Sequence, residues 1–164
     1  MVTIRQFTPD DFPPVQEIYR QGIDSGNATF ETQVKSWQQW HQAMLEPCRL
    51  VAAQNGQILG WAALSPISAR AVYSGVAEVS VYIAADARGR GLGRQLMTQL
   101  ITESEANNIW TLQAAIFPEN DASIGLHQKH GFKILGVRKH LGKLKGIWRD
   151  VVLMERRSTL VGID

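Results

Sequence analysis

A stretch of seven residues, from Ala87 to Gly93, constrains the fold of this chain more than any other, because it contains three glycines and two arginines. It follows an apolar run at 79–83 and precedes a segment, from about Gly91 to Ala106, in which apolar residues recur at helical spacing. Successive backbone N–H groups in a glycine-rich turn that enters a helix form an anion-binding concavity, and the positive end of the helix dipole strengthens it. The sequence therefore predicts a strand, a phosphate-binding turn and a helix, with pyrophosphate as the expected ligand.

Two common nucleotide-binding motifs do not account for this turn. A P-loop needs a lysine and a hydroxyl residue directly after its last glycine, and neither follows Gly93. The dinucleotide-binding fingerprint spaces its glycines as Gly-x-Gly-x-x-Gly, whereas Gly89, Gly91 and Gly93 alternate with other residues. The remaining alternative is a basic, glycine-rich surface turn that binds nothing.

Composition limits the class of protein. With 164 residues the chain suits one compact domain, so we predict a single domain over residues 1–164. A net charge of +2, with both signs mixed along the sequence, argues against a dominant nucleic-acid or membrane surface. The sole cysteine, Cys48, excludes an intrachain disulfide and a zinc-thiolate cluster, and we expect no metal. No apolar run approaches the ~18–20 residues of a membrane span, and no leader pattern is visible, so we expect a cytoplasmic protein.

The order of the predicted elements indicates an α/β domain. Asn55-Gly56 between two apolar runs is a strong hairpin signal, and Thr8 followed by Pro9 is typical of a helix start. We expect a mixed, largely antiparallel central sheet flanked by helices. The predicted strands span about 2–5, 50–53, 58–64, 78–83, 110–116, 132–138 and 148–154, with a turn at 142–146, and the predicted helices span about 8–21, 37–44, 91–106 and 120–130.

Two segments of the chain resemble the GNAT family of N-acetyltransferases. Residues 88–93, which follow an apolar strand, are similar to the family's acetyl-CoA motif, Arg/Gln-x-x-Gly-x-Gly/Ala. Residues 120–132, from Asn-Asp-Ala-Ser to Lys-His-Gly-Phe, are similar to its second motif, whose helix lies beside the pantetheine arm of the cosubstrate. The resemblance extends over essentially the whole chain. It implies the GNAT fold, acetyl-CoA as cosubstrate and transfer of an acetyl group to an amine.

A narrower resemblance is to the phosphinothricin and methionine sulfoximine acetyltransferase branch of that family. It rests on four stretches of sequence, at 69–73, 77–83, 126–127 and 146–151. In that branch the acceptor is the α-amino group of a small amino-acid analogue. The resemblance therefore implies direct acetylation of such an amino group by this chain, and it also implies a homodimer.

The same resemblance implies which residues bind the cosubstrate. The backbone of Val81 and Ile83 would pair with the pantetheine arm, amides of the turn would bind the pyrophosphate, and the Asn120 side chain would bond the arm further along. For Val81 and Ile83 the alternative is strand core, and for Asn120 it is a helix N-cap. The expected cosubstrate-binding residues are Val81, Tyr82, Ile83, Arg88, Gly89, Arg90, Gly91, Leu92, Gly93, Arg94, Asn120 and Ser123.

Three residues are candidates for proton transfer. Glu78, an acid at the edge of an apolar run, is poorly solvated and is the first candidate for the base that deprotonates the amine, directly or through water. His127 can accept or donate a proton near neutral pH, and Tyr82 can donate its hydroxyl proton to the leaving sulfur. The alternatives are a solvent-facing glutamate on a strand, a histidine packed on a helix face and a tyrosine in the core.

Four further residues, together with Glu78, are candidates for binding the acceptor. Arg70 would pair with a carboxylate in fixed geometry, with Tyr73 nearby in the same loop. Phe30 would form a wall of the side-chain pocket, and Lys145 would reach across a dimer interface, as the branch suggests. A solvated surface arginine and a mobile surface lysine are the alternatives.

Other functions stay open at this point. Within the enzyme class, the acceptor could instead be a polyamine, an aminoglycoside or a protein N-terminus, although Arg70 argues against a polyamine. In a different class, the chain would be a CoA-binding sensor without catalysis, for which Glu78, Tyr82 and His127 would be superfluous. Release of thiol from acetyl-CoA distinguishes the enzyme from the sensor.

Overall fold

The chain forms seven strands and four α-helices. The computed structural model describes residues 1–164. The strands are β1 (Thr3–Gln6), β2 (Leu50–Gln54), β3 (Gln57–Pro66), β4 (Val76–Ile83), β5 (Thr111–Ile116), β6 (Lys133–Leu144) and β7 (Ile147–Arg157), and the helices are α1 (Phe12–Ser25), α2 (Trp37–Ala43), α3 (Leu92–Ala106) and α4 (Asp121–Lys129). The strands form one sheet in the order β1-β2-β3-β4-β5-β7-β6. Only β4 and β5 are parallel neighbours, so the prediction of a mixed, largely antiparallel sheet is confirmed.

Helices cover both faces of the sheet. α1 packs on one face, where Tyr19 meets the rings of Trp61 and Tyr82. α3 packs against β2, β3 and β4 from the other face, and its residues Leu92 and Leu96 are 2% and 0% exposed. Truncating a buried leucine to alanine typically costs about 2–5 kcal/mol of stability, so these contacts hold the start of α3 firmly against the sheet.

β4 and β5 pair over only part of their length. Their register runs from Val76 opposite Thr111 to Glu78 opposite Gln113 and then stops. On its other edge β4 stays paired with β3 as far as Ile83, and β5 stays paired with β7 throughout. Beyond Glu78, the β4 edge that faces β5 therefore carries no strand, and the sheet opens into a cleft.

Two hairpin turns set the strand ends. Asn55 and Gly56 have positive φ, 52° and 77°, in the predicted turn between β2 and β3. Lys145 and Gly146 repeat this arrangement between β6 and β7, with φ of 50° and 81°. The closing strands are therefore longer than predicted, because the turn expected at 142–146 uses only its last two residues and the others belong to β6.

Helix α1 begins later than the sequence predicted. The expected start at Thr8 is followed by a single 3₁₀ turn over Pro9–Asp11, and the α-helix runs from Phe12 to Ser25. The Asp11 carboxylate accepts a 2.8 Å hydrogen bond from the Thr8 N–H, so it caps the turn. None of the helices combines the length and the apolar character that crossing a membrane requires.

Candidate active site

The glycine-rich turn lies directly before α3 and has the geometry of an anion-binding site. Gly89 and Gly91 have positive φ, 79° and 78°, a conformation that costs other residues about 1–2 kcal/mol. Gly91 is the N-cap of α3. No main-chain N–H from Arg88 to Arg94 donates a hydrogen bond to another group of the protein. These donors are therefore free for an anion at the positive end of the helix.

A cavity of about 540 Å³, here the turn cavity, adjoins these donors. The Leu92 side chain is 2% exposed and belongs to the core, so only its main chain is free for a ligand. The exposed Arg88, Arg90 and Arg94 add positive charge around the turn, although Arg90 and Arg94 lie outside the cavity wall. The other expected cosubstrate-binding residues all line it: Val81, Tyr82, Ile83, Arg88, Gly89, Gly91, Leu92, Gly93, Asn120 and Ser123.

A second cavity of about 400 Å³, here the cleft cavity, lies between β4 and β5. Glu78 lines it at the point where the pairing of these strands ends. Oε1 of Glu78 accepts a 3.0 Å hydrogen bond from Nε2 of Gln113, the residue directly opposite on β5. This bond orients the carboxylate and leaves Oε2 free to accept a hydrogen bond or a proton from a molecule in the cavity.

Tyr82 lies on the same face of β4 as Glu78 and lines both cavities. Its ring stacks on Trp61 at a centroid distance of 5.0 Å and meets Tyr19 edge-on at 5.1 Å. Burial raises the pKa of Tyr82. Its hydroxyl therefore stays protonated near neutral pH and is available as a proton donor.

His127 lies on α4, lines both cavities and is 5% exposed. Its Nδ1 lies 2.7 Å from the carbonyl oxygen of Ser123. Because a carbonyl oxygen only accepts, Nδ1 carries the proton and Nε2 presents its lone pair. Burial lowers the pKa of His127, so the ring is neutral near pH 7 and is suited to accept a proton rather than to donate one.

Asn120 performs the structural role that was the alternative to cosubstrate binding. Its Oδ1 accepts a 3.2 Å hydrogen bond from the Ser123 N–H at the start of α4, and its Nδ2 donates to the Asn27 carbonyl oxygen at 3.2 Å. One N–H of the amide group makes no hydrogen bond in the protein. Asn120 and Ser123 both line the two cavities, so the cap also places a free donor at a ligand site.

The residues expected to bind the acceptor do not all meet in the cleft. Phe30 lines the cavity and packs edge-on against Phe117 at 4.9 Å. Arg70 lies on an exposed loop, where its guanidinium covers the Tyr73 ring at 5.5 Å, and neither residue lines the turn cavity or the cleft cavity. Lys145 lies in the exposed β6–β7 turn, also outside both cavities.

The polar residues at the cleft that the sequence did not identify include Lys35, which lines the cavity, and Gln113, which bonds to Glu78. Gln113 had a usable signal, because it is the one amide in the apolar strand Thr111–Ile116. Lys35 had none, because it lies in an irregular segment before α2, yet it lines the cavity and places Nζ 3.3 Å from the Tyr19 hydroxyl oxygen. No group of three or more His, Cys, Asp and Glu side chains is arranged to hold a metal ion.

Three known proteins are similar to this chain over most of its length. A phosphinothricin N-acetyltransferase from Alcaligenes faecalis is 36% identical over 160 residues, which cover 94% of this chain and 81% of that protein. An L-methionine sulfoximine/L-methionine sulfone acetyltransferase from Pseudomonas paraeruginosa is 33% identical over 159 residues, which cover 93% and 92% of the two chains. The crystal structure of a phosphinothricin acetyltransferase from Sinorhizobium meliloti in complex with acetyl-CoA has a TM-score of 0.90 at 28% identity, covering 99% of this chain and 91% of that one.

The family model described as the acetyltransferase (GNAT) family matches residues 10–132. The matched range contains β4, the glycine-rich turn, α3 and α4, and every residue that lines either cavity lies within it. The resemblance inferred from the two sequence motifs is therefore confirmed, and so is the prediction of an N-acetyltransferase. This chain belongs to the acetyltransferase (GNAT) family.

Proposed function

We propose that this protein transfers the acetyl group of acetyl-CoA directly to the α-amino group of a small amino acid or analogue of the phosphinothricin, methionine sulfoximine or methionine sulfone type. The single observation that carries the proposal is the continuity of the site. Val81, Tyr82, Asn120, Ser123 and His127 line both cavities, so a diphosphate site and a carboxylate base share one open cleft. The similar proteins act on acceptors of this type.

The residues around the turn cavity fit acetyl-CoA. Free N–H groups from Arg88 to Arg94 suit its diphosphate, since the helix end and the arginines both favour negative charge. The β4 edge beyond Glu78 has main-chain groups that no strand uses, and Val81 and Ile83 would pair there with the amides of the pantetheine arm. When bound, acetyl-CoA supplies the acetyl group as a thioester.

Glu78 is proposed as the base. An amine attacks only when it has lost its proton, and an ammonium predominates at neutral pH. Oε2 of Glu78 would accept that proton directly or through water, while the Gln113 hydrogen bond keeps the carboxylate oriented into the cleft. Gln113 is therefore a positioning residue.

Two further groups are proposed to move protons at the other end of the cleft. The protonated Tyr82 hydroxyl would donate to the sulfur as the thiol leaves. Neutral His127, through Nε2, would act as a second base. Both lie where the two cavities meet, which is where the sulfur and the amine have to be brought together.

A homodimer is proposed as the working form. The outer hairpin of β6 and β7 exposes Ile134, Leu135, Val137, Leu141, Ile147 and Trp148, with 42–67% of each residue accessible. Apolar residues clustered on one surface favour association, and Lys145 in the same hairpin would then reach a partner's site. Light scattering should give twice the chain mass, and Leu135→Lys should shift it toward the monomer.

The proposal is tested by thiol release from acetyl-CoA. Phosphinothricin, methionine sulfoximine and methionine sulfone should be turned over, whereas a polyamine, an aminoglycoside and a short peptide should not. Raised thermal stability with acetyl-CoA but no turnover of any amine would identify a CoA sensor instead. N-acetylation removes the positive charge of the amino group of such an analogue, so the protein is proposed to detoxify it, which resistance assays would check. A cytoplasmic location stays a prediction, and cell fractionation would check it.

A further inference from the structure

Negatively charged side chains outnumber positively charged ones in the wall of the cleft cavity. Glu31 and Glu78 supply carboxylates, and Lys35 is the only lysine or arginine in its wall. His127 adds no positive charge near pH 7, because burial lowers its pKa. An α-amino acid carries an anionic carboxylate beside its amine, and burying that anion without a cation is costly. The cleft therefore offers one side chain that can balance it.

Lys35 has no carboxylate partner of its own. Its Nζ lies 3.3 Å from the Tyr19 hydroxyl oxygen and 5.1 Å from the centroid of the same ring. No Asp or Glu oxygen lies within 4.0 Å of it, since none of the salt bridges of the protein includes Lys35. An ammonium has three N–H donors, so at least two stay available to a molecule in the cavity.

The backbone around Lys35 is held from two sides. Its carbonyl oxygen accepts a 2.9 Å hydrogen bond from Nε2 of Gln16 on α1. The next residue, Ser36, caps α2 by accepting a hydrogen bond from the Gln39 N–H at 3.2 Å. Because this segment is already ordered, an anion bound by Lys35 needs little additional loss of backbone freedom.

Lys35 and the proposed base line the same cavity. Tyr19, which Lys35 contacts, packs against Tyr82, and Tyr82 lies on the same face of β4 as Glu78. An acceptor in this cavity can direct its amine to Glu78 and an anionic group to Lys35. Arg70, the cation expected from the sequence to do this, is exposed and outside the cavity.

We propose that Lys35 binds an anionic oxygen group of the acceptor and thereby selects amino acids over simple amines. This proposal rests on the proposed function, and it names the residue that determines which class of acceptor the protein binds. Two groups of an acceptor have this chemistry, the α-carboxylate and an acidic side chain such as a phosphinate. Acceptors that lack one group or the other distinguish them.

The test compares Lys35→Met with Arg70→Met, a matched loss of one cation outside the cavity. Losing a charged hydrogen-bond partner should raise KM for the bound acceptor about 10- to 100-fold, with kcat and acetyl-CoA affinity little changed. Lys35→Arg should recover part of the loss, and Arg70→Met should leave KM nearly unchanged. The acceptors are phosphinothricin, methionine sulfone and the α-carboxamide of methionine sulfone.

Each outcome separates the possibilities. If Lys35 binds the α-carboxylate, Lys35→Met raises KM for both amino acids but not for the carboxamide; if it binds the side-chain anion, only phosphinothricin is affected. Equal effects on all three acceptors, no effect on any, or an effect confined to Arg70→Met would overturn the proposal. A wild-type protein that binds acetyl-CoA but turns over no amino acid would overturn the proposed function itself.

Discussion

The glycine-rich turn and the cleft cavity are neighbouring parts of one site, and they are built from different groups. In the turn, the donors are main-chain N–H groups of consecutive residues from Arg88 to Arg94. In the cleft, the polar groups are side chains from separate elements: Lys35 before α2 and Glu78 on β4 line the cavity, and Gln113 on β5 bonds to Glu78. The turn is a continuous segment of sequence, whereas the cleft exists only after the chain has folded.

This difference determines what each region can recognise. Every residue type except proline presents the same N–H group, so the turn can distinguish an anion by charge and shape alone. Side chains differ in charge, shape and pKa, so the cleft can select one acceptor from others. Substitutions in the cleft should therefore change turnover or acceptor choice, and substitutions in the turn should change cosubstrate affinity.

The largest effect should come from Glu78, the proposed base in the cleft. We expect Glu78→Gln to lower kcat by about 100- to 10,000-fold, because an amide cannot accept the proton of the amine. Stopped-flow or steady-state thiol release measures kcat, and calorimetry should give the same acetyl-CoA affinity as for the wild type. Glu31→Gln, another carboxylate of the same cavity, should leave kcat almost unchanged.

A substitution of Gln113 tests whether its hydrogen bond positions the Glu78 carboxylate. Gln113→Leu keeps the carboxylate but removes its 3.0 Å hydrogen bond, so kcat should fall by about 10-fold, within the usual range for one such bond. KM for the acceptor should stay nearly unchanged, because Gln113 does not itself line the cavity. A fall in kcat accompanied by an equal rise in KM would assign Gln113 a structural role only.

Substitutions in the turn should change the affinity for acetyl-CoA rather than kcat. Gly91→Val places a β-branched residue at a φ of 78°, and the strain should rearrange the turn and weaken acetyl-CoA binding about 10- to 100-fold. Gly56→Val is the matched control, since Gly56 has a φ of 77° in a distant hairpin. It should lose stability without losing affinity. Equal acetyl-CoA affinity in both variants would contradict the phosphate assignment.

The smallest effect is on the free energy of unfolding and concerns His127, which lines both cavities. Burial lowers its pKa in the folded state, so below about pH 6.5 the unfolded chain binds a proton that the folded chain does not. His127 therefore stabilises the fold less as pH falls through this window, by at most about 1.4 kcal/mol per pH unit. Urea unfolding at several pH values should show the stability difference from His127→Gln shrinking on acidification. Parallel curves would contradict the buried neutral imidazole.

The sequence predicted the turns best, because a few adjacent residues determine the conformation of a turn. Gly89 and Gly91 identified the turn before α3, and Asn55-Gly56 identified the β2–β3 hairpin, because the required positive φ is a property of a few adjacent residues. The β6–β7 turn was placed too broadly. The predicted turn also included Gly142 and Lys143, because glycine and lysine are common in turns, although both residues lie within β6.

The cleft was predicted only in part, because its members come from distant parts of the chain. Glu78 was identified from its own strand, but its partner Gln113 depends on the parallel register of β4 and β5, which no local pattern specifies. Lys35 lies in the cavity wall beside Tyr19 of α1, a contact that its own neighbours in the sequence do not specify. Arg70, chosen for its chemistry, lies on an exposed loop whose path the sequence does not determine.

The early end of the β4–β5 pairing also has a consequence for the lifetime of the protein. An uncovered strand edge invites pairing with another chain and hence aggregation, and this edge is uncovered wherever β4 continues past Glu78. A molecule lying along it shields that edge, and a ligand at a hundredfold excess over its Kd adds about 2.7 kcal/mol to the free energy of unfolding. Acetyl-CoA would then serve as a folding ligand as well as a reactant, and abundance of the protein would follow the metabolic supply of acetyl groups.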